Sequence, residues 1–179
     1  MSQHQAAASR ALLLMAPVAS TARLIEREYL EDYELGETFV SPGRTITESD
    51  VVLFASLTGD WHPLHTDAVY AKGTMFGERI AHGMLTMSVG MVLVLRLGQN
   101  LYLPKHFIAM KGIDGLRFTA PVRLGDTIYS VNQVMAIDLT RDDRGTLQYE
   151  SAIFNQEDRP VVQWTSRMLV ARRKSKPGV

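Results

Sequence analysis

A carboxylate and an imidazole lie five positions apart in this chain, at Asp60 and His65, with Pro63 between them. On a helix this spacing would place the two side chains about 140° apart, and on a strand it would place them on opposite faces. A loop bent at the proline could bring them together. Such a pair can exchange protons with a water molecule. A local hydrogen bond that only stabilises the loop is the alternative interpretation.

A second candidate site is the dipeptide His82-Gly83, which comes directly before a long apolar segment. A glycine lets a ligand approach the backbone closely, and the first N–H groups of a helix have no partner within the helix. At the positive end of the helix dipole, these groups could stabilise a carbonyl oxygen that gains negative charge. An ordinary helix start is the alternative.

The helical patterns around these residues place both candidate sites at helix ends. Residues 47–50 resemble a capping box and begin an amphipathic helix that ends at Gly59. A short helix is predicted over residues 66–72. Residues 84–97 are apolar on every face, which predicts a buried helix, because the segment is shorter than the roughly 20 residues that span a bilayer. Residues 51–57 and 84–95 are expected to line an apolar slot.

The remaining patterns predict an α+β domain with an antiparallel sheet. Strands are predicted at residues 38–40, 43–46, 128–137, 149–154 and 162–170. Short turns join the later strands, which favours antiparallel neighbours over parallel crossover units. We expect this sheet to wrap around the buried helix.

The composition limits the function classes. The chain has 179 residues, 46% of them hydrophobic, with 19 Lys+Arg against 19 Asp+Glu and no Cys. One globular domain is expected. Zero net charge provides no overall field for nucleic acid or an anionic membrane, so neither is predicted as a partner. Without cysteine the chain has no disulfide, thiolate metal site or thiol nucleophile, and we expect a cytoplasmic protein.

The two ends are treated separately from the domain. Residues 1–23 carry two arginines, no acid and a short apolar run, a pattern that weakly resembles an export or transit segment. We predict a flexible N-terminal arm over residues 1–23, a globular domain over residues 24–171 and a basic C-terminal tail over residues 172–179.

Three stretches, in this order, resemble the MaoC-like dehydratases, a family that includes the R-specific enoyl-CoA hydratases. They are residues 54–65 (FASLTGDWHPLH) with Ala71 six positions on, residues 79–85 (RIAHGML) and residues 115–127 (GLRFTAPVRLGDT). The likeness runs from about residue 33 to residue 171. It implies a hotdog fold, in which an antiparallel sheet curls around a long helix, and commonly a dimer of such units.

The resemblance also implies roles for individual residues. Asp60 and His65 match the Asp and His that hold the catalytic water, and Gly83 matches the Gly whose N–H binds the thioester carbonyl. The family has Asn where this chain has His62. An imidazole is larger than an amide and titratable, so His62 could reposition the water, pair with Asp60 or act as an equivalent hydrogen-bonding strut. We assign substrate binding to His62, His82 and Gly83.

The leading functional hypothesis is a hydro-lyase that reversibly hydrates an enoyl-CoA-type thioester. The alternatives are an acyl-CoA thioesterase and a non-catalytic acyl-CoA-binding hotdog protein. Coenzyme A is expected as part of the substrate, with no other cofactor. His62, His65 and His82 could also be interpreted as metal ligands, but we predict no metal. Exposed sheet edges lead us to expect a homodimer.

Overall fold

The structure is a computed structural model, and it describes residues 20–173 of the chain. Its strands form an antiparallel sheet in the order β1-β4-β5-β6-β3, with β2 paired to β4 as well. The strands are β1 (Thr38–Val40), β2 (Arg44–Thr45), β3 (Phe107–Phe118), β4 (Thr127–Asp138), β5 (Arg144–Phe154) and β6 (Pro160–Ala171). The predicted antiparallel sheet is therefore confirmed.

The described part of the chain has four α-helices among its strands. They are α1 (Glu48–Thr58), α2 (Pro63–Thr66), α3 (Ala68–Lys72) and α4 (Gly83–Leu93), and a 3₁₀ turn, Val94–Leu97, continues α4. The predicted helix over residues 66–72 is present as α3 and ends at Lys72, but it begins at Ala68, because Asp67 ends α2 and caps α3 through its side chain. α1 begins at the predicted capping box and ends at Gly59, whose φ of 78° is left-handed.

The sheet packs against α4, as predicted for a sheet that wraps a helix. Leu85, Met87 and Leu93 of α4 share a buried apolar cluster with Ile153 and Trp164 of the sheet. At Gly90 the helix approaches β5 so closely that a Cβ would overlap the side chain of Ile153. Glycine at this position therefore sets the distance between helix and sheet.

The expectation that α4 is buried on every face is wrong for this single chain. Met84, Val92 and Leu95 are 51%, 45% and 42% exposed, respectively. The sheet covers one side of the helix, and these apolar side chains lie on its other flank. α1 is also less buried than its pattern predicts, because Leu57 is 84% exposed.

Strand β3 was not predicted from the alternation of apolar and polar residues. Within residues 20–173 it is an edge strand that pairs only with β6, and most of its residues are exposed. Its pairing with β6 is interrupted by register shifts. Because an exposed, bulged edge strand has no continuously buried face, its sequence lacks the period of two that identifies a strand.

Parts of both predicted tails lie against the domain. The N–H groups of Thr21 and Ala22 donate to the carbonyl oxygen of Thr38, and Arg172 forms an ion pair with Glu31 at 2.9 Å. The attached region therefore extends beyond the predicted boundaries at both ends, whereas residues 1–19 and 174–179 of these tails lie outside the described residues. Within residues 20–173, none of the helices has the length and apolar character to cross a membrane.

Candidate active site

Asp60 lies in the loop that follows α1. Its Oδ1 accepts a hydrogen bond from the backbone N–H of His62 at 3.3 Å, and its side chain is 52% exposed. The left-handed turn at Gly59 redirects the chain after the helix, so Asp60 leaves the helical face and enters the loop that carries the remaining candidate residues.

His62 is the N-cap of α2. Its Nδ1 accepts a hydrogen bond from the N–H of Leu64 at 3.1 Å, and Pro63 occupies the first helical position. An N-cap Asn or Asp uses its side-chain oxygen in the same way. The imidazole therefore does the structural work that an amide would do at this position. The His62 ring is edge-on to the rings of His65 and Tyr70, with centroid distances of 6.2 Å and 6.0 Å, respectively.

His65 is held in one tautomer by the segment before α4. Its Nδ1 lies 2.7 Å from the carbonyl oxygen of Ile80. Because a carbonyl oxygen can only accept, Nδ1 donates the proton and Nε2 of the neutral ring carries the free lone pair. Burial is the strongest influence on the pKa of His65 and lowers it from the usual value of 6.5, although the bond to Ile80 opposes this.

The structure brings Asp60 and His65 together, as the loop bent at Pro63 predicts. Asp60, His65 and His82 each present a potential ligand atom, and these atoms lie within 4.8 Å of one another. This spacing would suit a water molecule or a metal ion. His82 Nε2, however, lies 2.9 Å from the backbone carbonyl oxygen of Asp60 and must donate there. The proton held on Nε2 by this bond keeps that nitrogen from binding a metal ion.

His82 lies behind His65. Its side chain is 3% exposed, and the two ring centroids are 3.8 Å apart with an angle of 32° between the planes. This burial argues against the predicted direct contact of His82 with a substrate and favours an action through its neighbours.

A cavity of about 350 Å³ lies beside His65 and Gly83. Its walls are mainly apolar, and the lining residues are His65, Phe76, Ile80, Ala81, Gly83, Thr86, Phe118, Thr119, Ala120, Pro121, Val122, Val161 and Val162. Gly83 is the first residue of α4, so its N–H has no partner within the helix. A Cβ at Gly83 would lie 2.9 Å from the ring of Phe118, which leaves room for glycine only.

The walls of this cavity differ from the predicted slot. Only the first turn of α4 contributes from the predicted segments, whereas Phe118 at the end of β3, residues 119–122 after it and the start of β6 supply about half of the lining residues. These two regions meet because Phe118 pairs with Val162 across the sheet. Phe118 was missed as a site residue, although it lies in the third stretch of the family resemblance.

Comparisons with known proteins bear out the family resemblance. The family model described as "MaoC like domain" matches residues 32–152. The (R)-specific enoyl-CoA hydratase of Rhodospirillum rubrum is 44% identical over 100 residues, which cover 56% of this chain and 65% of the relative. The 3-hydroxybutyryl-CoA dehydratase of Methylorubrum extorquens is 42% identical over 100 residues, 56% of this chain and 59% of the relative. The match therefore spans less than two thirds of the length of either relative.

Solved structures show the same fold. A protein from Archaeoglobus described as a monoamine oxidase regulatory protein superimposes with a TM-score of 0.77 at 33% identity, over 84% of this chain and 98% of its own. A Mycobacterium tuberculosis protein described as a double hotdog fold matches 85% of this chain and 47% of its own, with a TM-score of 0.66 at 21% identity. The predicted hotdog fold is confirmed.

Proposed function

This chain belongs to the MaoC-like dehydratase family, and from that premise we propose that it is a hydro-lyase that reversibly adds water to an enoyl-CoA thioester. The observation that carries the proposal is the convergence of Asp60 and His65 beside a cavity that Gly83 also lines. The names of two relatives, an enoyl-CoA hydratase and a 3-hydroxybutyryl-CoA dehydratase, describe the addition and the removal of water on CoA thioesters, which supports the assignment.

In the proposed reaction, Asp60 and His65 hold one water molecule between them. The carboxylate of Asp60 and Nε2 of His65 both accept hydrogen bonds, so both can orient the water, and the pair takes up one of its protons. The water oxygen then bonds to the β carbon. The electron pair of the double bond moves onto the thioester oxygen, where the N–H of Gly83 stabilises the developing charge.

The second half of the reaction returns a proton to carbon. As the enolate-like intermediate collapses, its α carbon takes a proton from the catalytic pair, and the thioester carbonyl is restored. Water has then been added in full, with OH on the β carbon and H on the α carbon. No metal or redox group takes part in this scheme, and coenzyme A enters only as part of the substrate.

We assign His62 the role of a strut for the catalytic loop. Its Nδ1 caps α2, the helix that carries His65, and its backbone N–H donates to Asp60. A ring engaged in this way influences the substrate through the positions of Asp60 and His65. The role proposed here replaces direct substrate binding by the His62 ring.

We further propose that two copies of the chain associate through β3. This edge strand carries Ile108, Met110 and Ile113, which are 49%, 39% and 40% exposed. An unpaired edge with apolar side chains is a surface on which another strand can add. A second copy is the simplest partner, because a two-fold contact would cover the same edge in both chains. Function in the cytoplasm stays a prediction.

Mixing the purified protein with crotonyl-CoA and a thiol reagent tests the proposed reaction. Hydration removes the conjugated enoyl absorbance without releasing free thiol, which is the expected result. Release of thiol would instead identify a thioesterase, and binding with neither change would identify a non-catalytic acyl-CoA-binding protein. Either result would overturn the proposal, provided that longer enoyl-CoA substrates behave in the same way.

A further inference from the structure

His82 contacts two of the three proposed catalytic groups and directly precedes the third. We propose that His82 is a positioning residue, which fixes Asp60, His65 and Gly83 in one arrangement without touching the substrate. The inference rests on the proposed function, because it gives His82 a part in that reaction.

The first contact anchors the loop of Asp60. His82 Nε2 donates to the backbone carbonyl oxygen of Asp60 at 2.9 Å. The neutral ring then has its lone pair on Nδ1, which is buried without a hydrogen-bond partner among the described residues. The carboxylate of Asp60 is half exposed, so its backbone is held from the buried side while its side chain remains accessible.

The second contact limits the movement of His65. The rings of His65 and His82 are 3.8 Å apart, and Phe54 packs against His82 with a centroid distance of 5.1 Å. Because His82 is almost completely buried, it cannot give way without opening the core. The bond from His65 Nδ1 to Ile80 fixes the rotation of the ring, and the ring of His82 blocks its displacement towards the core.

The third connection runs through the backbone to Gly83. The carbonyl oxygen of His82 accepts hydrogen bonds from the N–H of Thr86 at 3.0 Å and from Thr86 Oγ1 at 3.3 Å. These bonds close the first turn of α4, which begins at Gly83. A shift of His82 would therefore move the N–H of Gly83 relative to Asp60 and His65.

Two substitutions separate the contacts of the side chain. His82→Gln keeps an N–H donor for the carbonyl of Asp60 but removes the ring, whereas His82→Phe keeps a ring and removes the donor. We expect each variant to lower kcat about 10- to 100-fold, since misplacement of catalytic groups by about 1 Å can have an effect of this size. KM should change less than about threefold, because the cavity walls remain intact.

The pH profile distinguishes positioning from general stabilisation of the fold. The pKa of His65 depends on burial and also on its neighbours, which are the carbonyl oxygen of Ile80, His82, Asp60 and His62. In His82→Gln the aromatic cover is lost and water can reach His65, so the acid limb of kcat/KM should move to higher pH. In His82→Phe the cover remains, and the shift should be smaller.

His106→Gln is the matched control. The ring of His106 also stacks on an aromatic neighbour, Tyr29, with a centroid distance of 4.5 Å. His106 lies just before the first residue of β3, and the cavity lies at the other end of this strand, at Phe118. This variant should keep the wild-type kcat. The inference is overturned if both His82 variants keep kcat within about twofold of wild type, or if their loss only matches the fraction of unfolded protein.

A measurement on the wild-type protein covers the case in which the variants do not fold. Nitrogen-15 NMR of the imidazole rings should show the proton of His82 on Nε2 and that of His65 on Nδ1. An Nε2 of His82 without a proton would contradict the hydrogen bond to the carbonyl oxygen of Asp60 and overturn the inference. Absence of hydratase activity in the wild type would instead reject the proposed function and leave this result interpretable.

Discussion

His65 Nδ1 lies 2.7 Å from the carbonyl oxygen of Ile80, so the catalytic-loop histidine is bound to the segment that leads into α4. The N–H of Ile80 in turn lies 3.4 Å from the carbonyl oxygen of Leu64, and Ile80 bridges to Arg123. These two hydrogen bonds between residues 64–65 and Ile80 fix both the position and the tautomer of the His65 imidazole. The free nitrogen, Nε2, is thereby left for a water molecule.

The first prediction is that activity persists to lower pH than an ordinary histidine would allow. In the proposed catalytic pair His65 accepts a hydrogen bond from the water as a neutral ring. Burial lowers the pKa of His65 below 6.5, so the ring stays neutral as the pH falls through that value. The acid limb of kcat/KM should accordingly lie below pH 6.5. An acid limb above this pH, assigned to His65 by NMR titration, would contradict the role of burial. The negative charge of Asp60 raises the pKa of His65. The substitution Asp60→Asn should therefore lower the pKa of His65 that an NMR titration measures.

The second prediction concerns the close contact at the start of α4. Gly83→Ala would place a methyl group 2.9 Å from the ring of Phe118, which forces either the ring or the helix start to move. We expect kcat/KM to fall about 10- to 100-fold. Gly73→Ala is the control, since its φ of −82° suits any residue and the nearest atom to a Cβ there, the carbonyl oxygen of Tyr70, is 3.5 Å away. Equal activity of the two variants would show that the start of α4 does not bind the thioester.

The third prediction is that His62→Asn preserves activity. The amide oxygen of Asn can accept the hydrogen bond from the N–H of Leu64 that Nδ1 of His62 now accepts. Turnover of crotonyl-CoA and the melting temperature should therefore stay close to the wild-type values. A loss of more than about tenfold in rate, near 1.4 kcal/mol in the barrier, with an unchanged melting temperature would show that the imidazole does more than cap α2.

The fourth prediction tests the association through β3. Ile113→Lys places a charge on the exposed edge strand, and light scattering at micromolar concentration should then give the mass of one chain in place of two. Leu139→Lys is the control, because Leu139 is exposed to a similar extent, 43% against 40%, but lies beyond the end of β4. A wild-type protein that is monomeric, or an Ile113→Lys variant that remains dimeric, would refute the proposed contact.

The sequence was informative where a local pattern determines the structure. The capping box before α1, the bend at Pro63 and the apolar segment that became α4 all predicted elements that are present. The cavity could not be predicted in this way, because Phe118 and Val162 meet only through the pairing of β3 with β6. The burial of His82 depends likewise on how α1 and the loop of Asp60 pack over the start of α4, which no local pattern encodes.

The central claim is that Asp60 and His65 together activate water, and their removal tests it most directly. The measurement is the rate of loss of enoyl absorbance with crotonyl-CoA for Asp60→Asn and His65→Gln, each with its melting temperature. Asp67→Asn and His106→Gln are the matched controls, since Asn can keep the cap of α3 that Asp67 provides. We predict that each catalytic variant folds normally and loses about 10²- to 10⁴-fold in rate, while the controls stay active. Near-normal turnover by either catalytic variant, at unchanged melting temperature, would contradict the account.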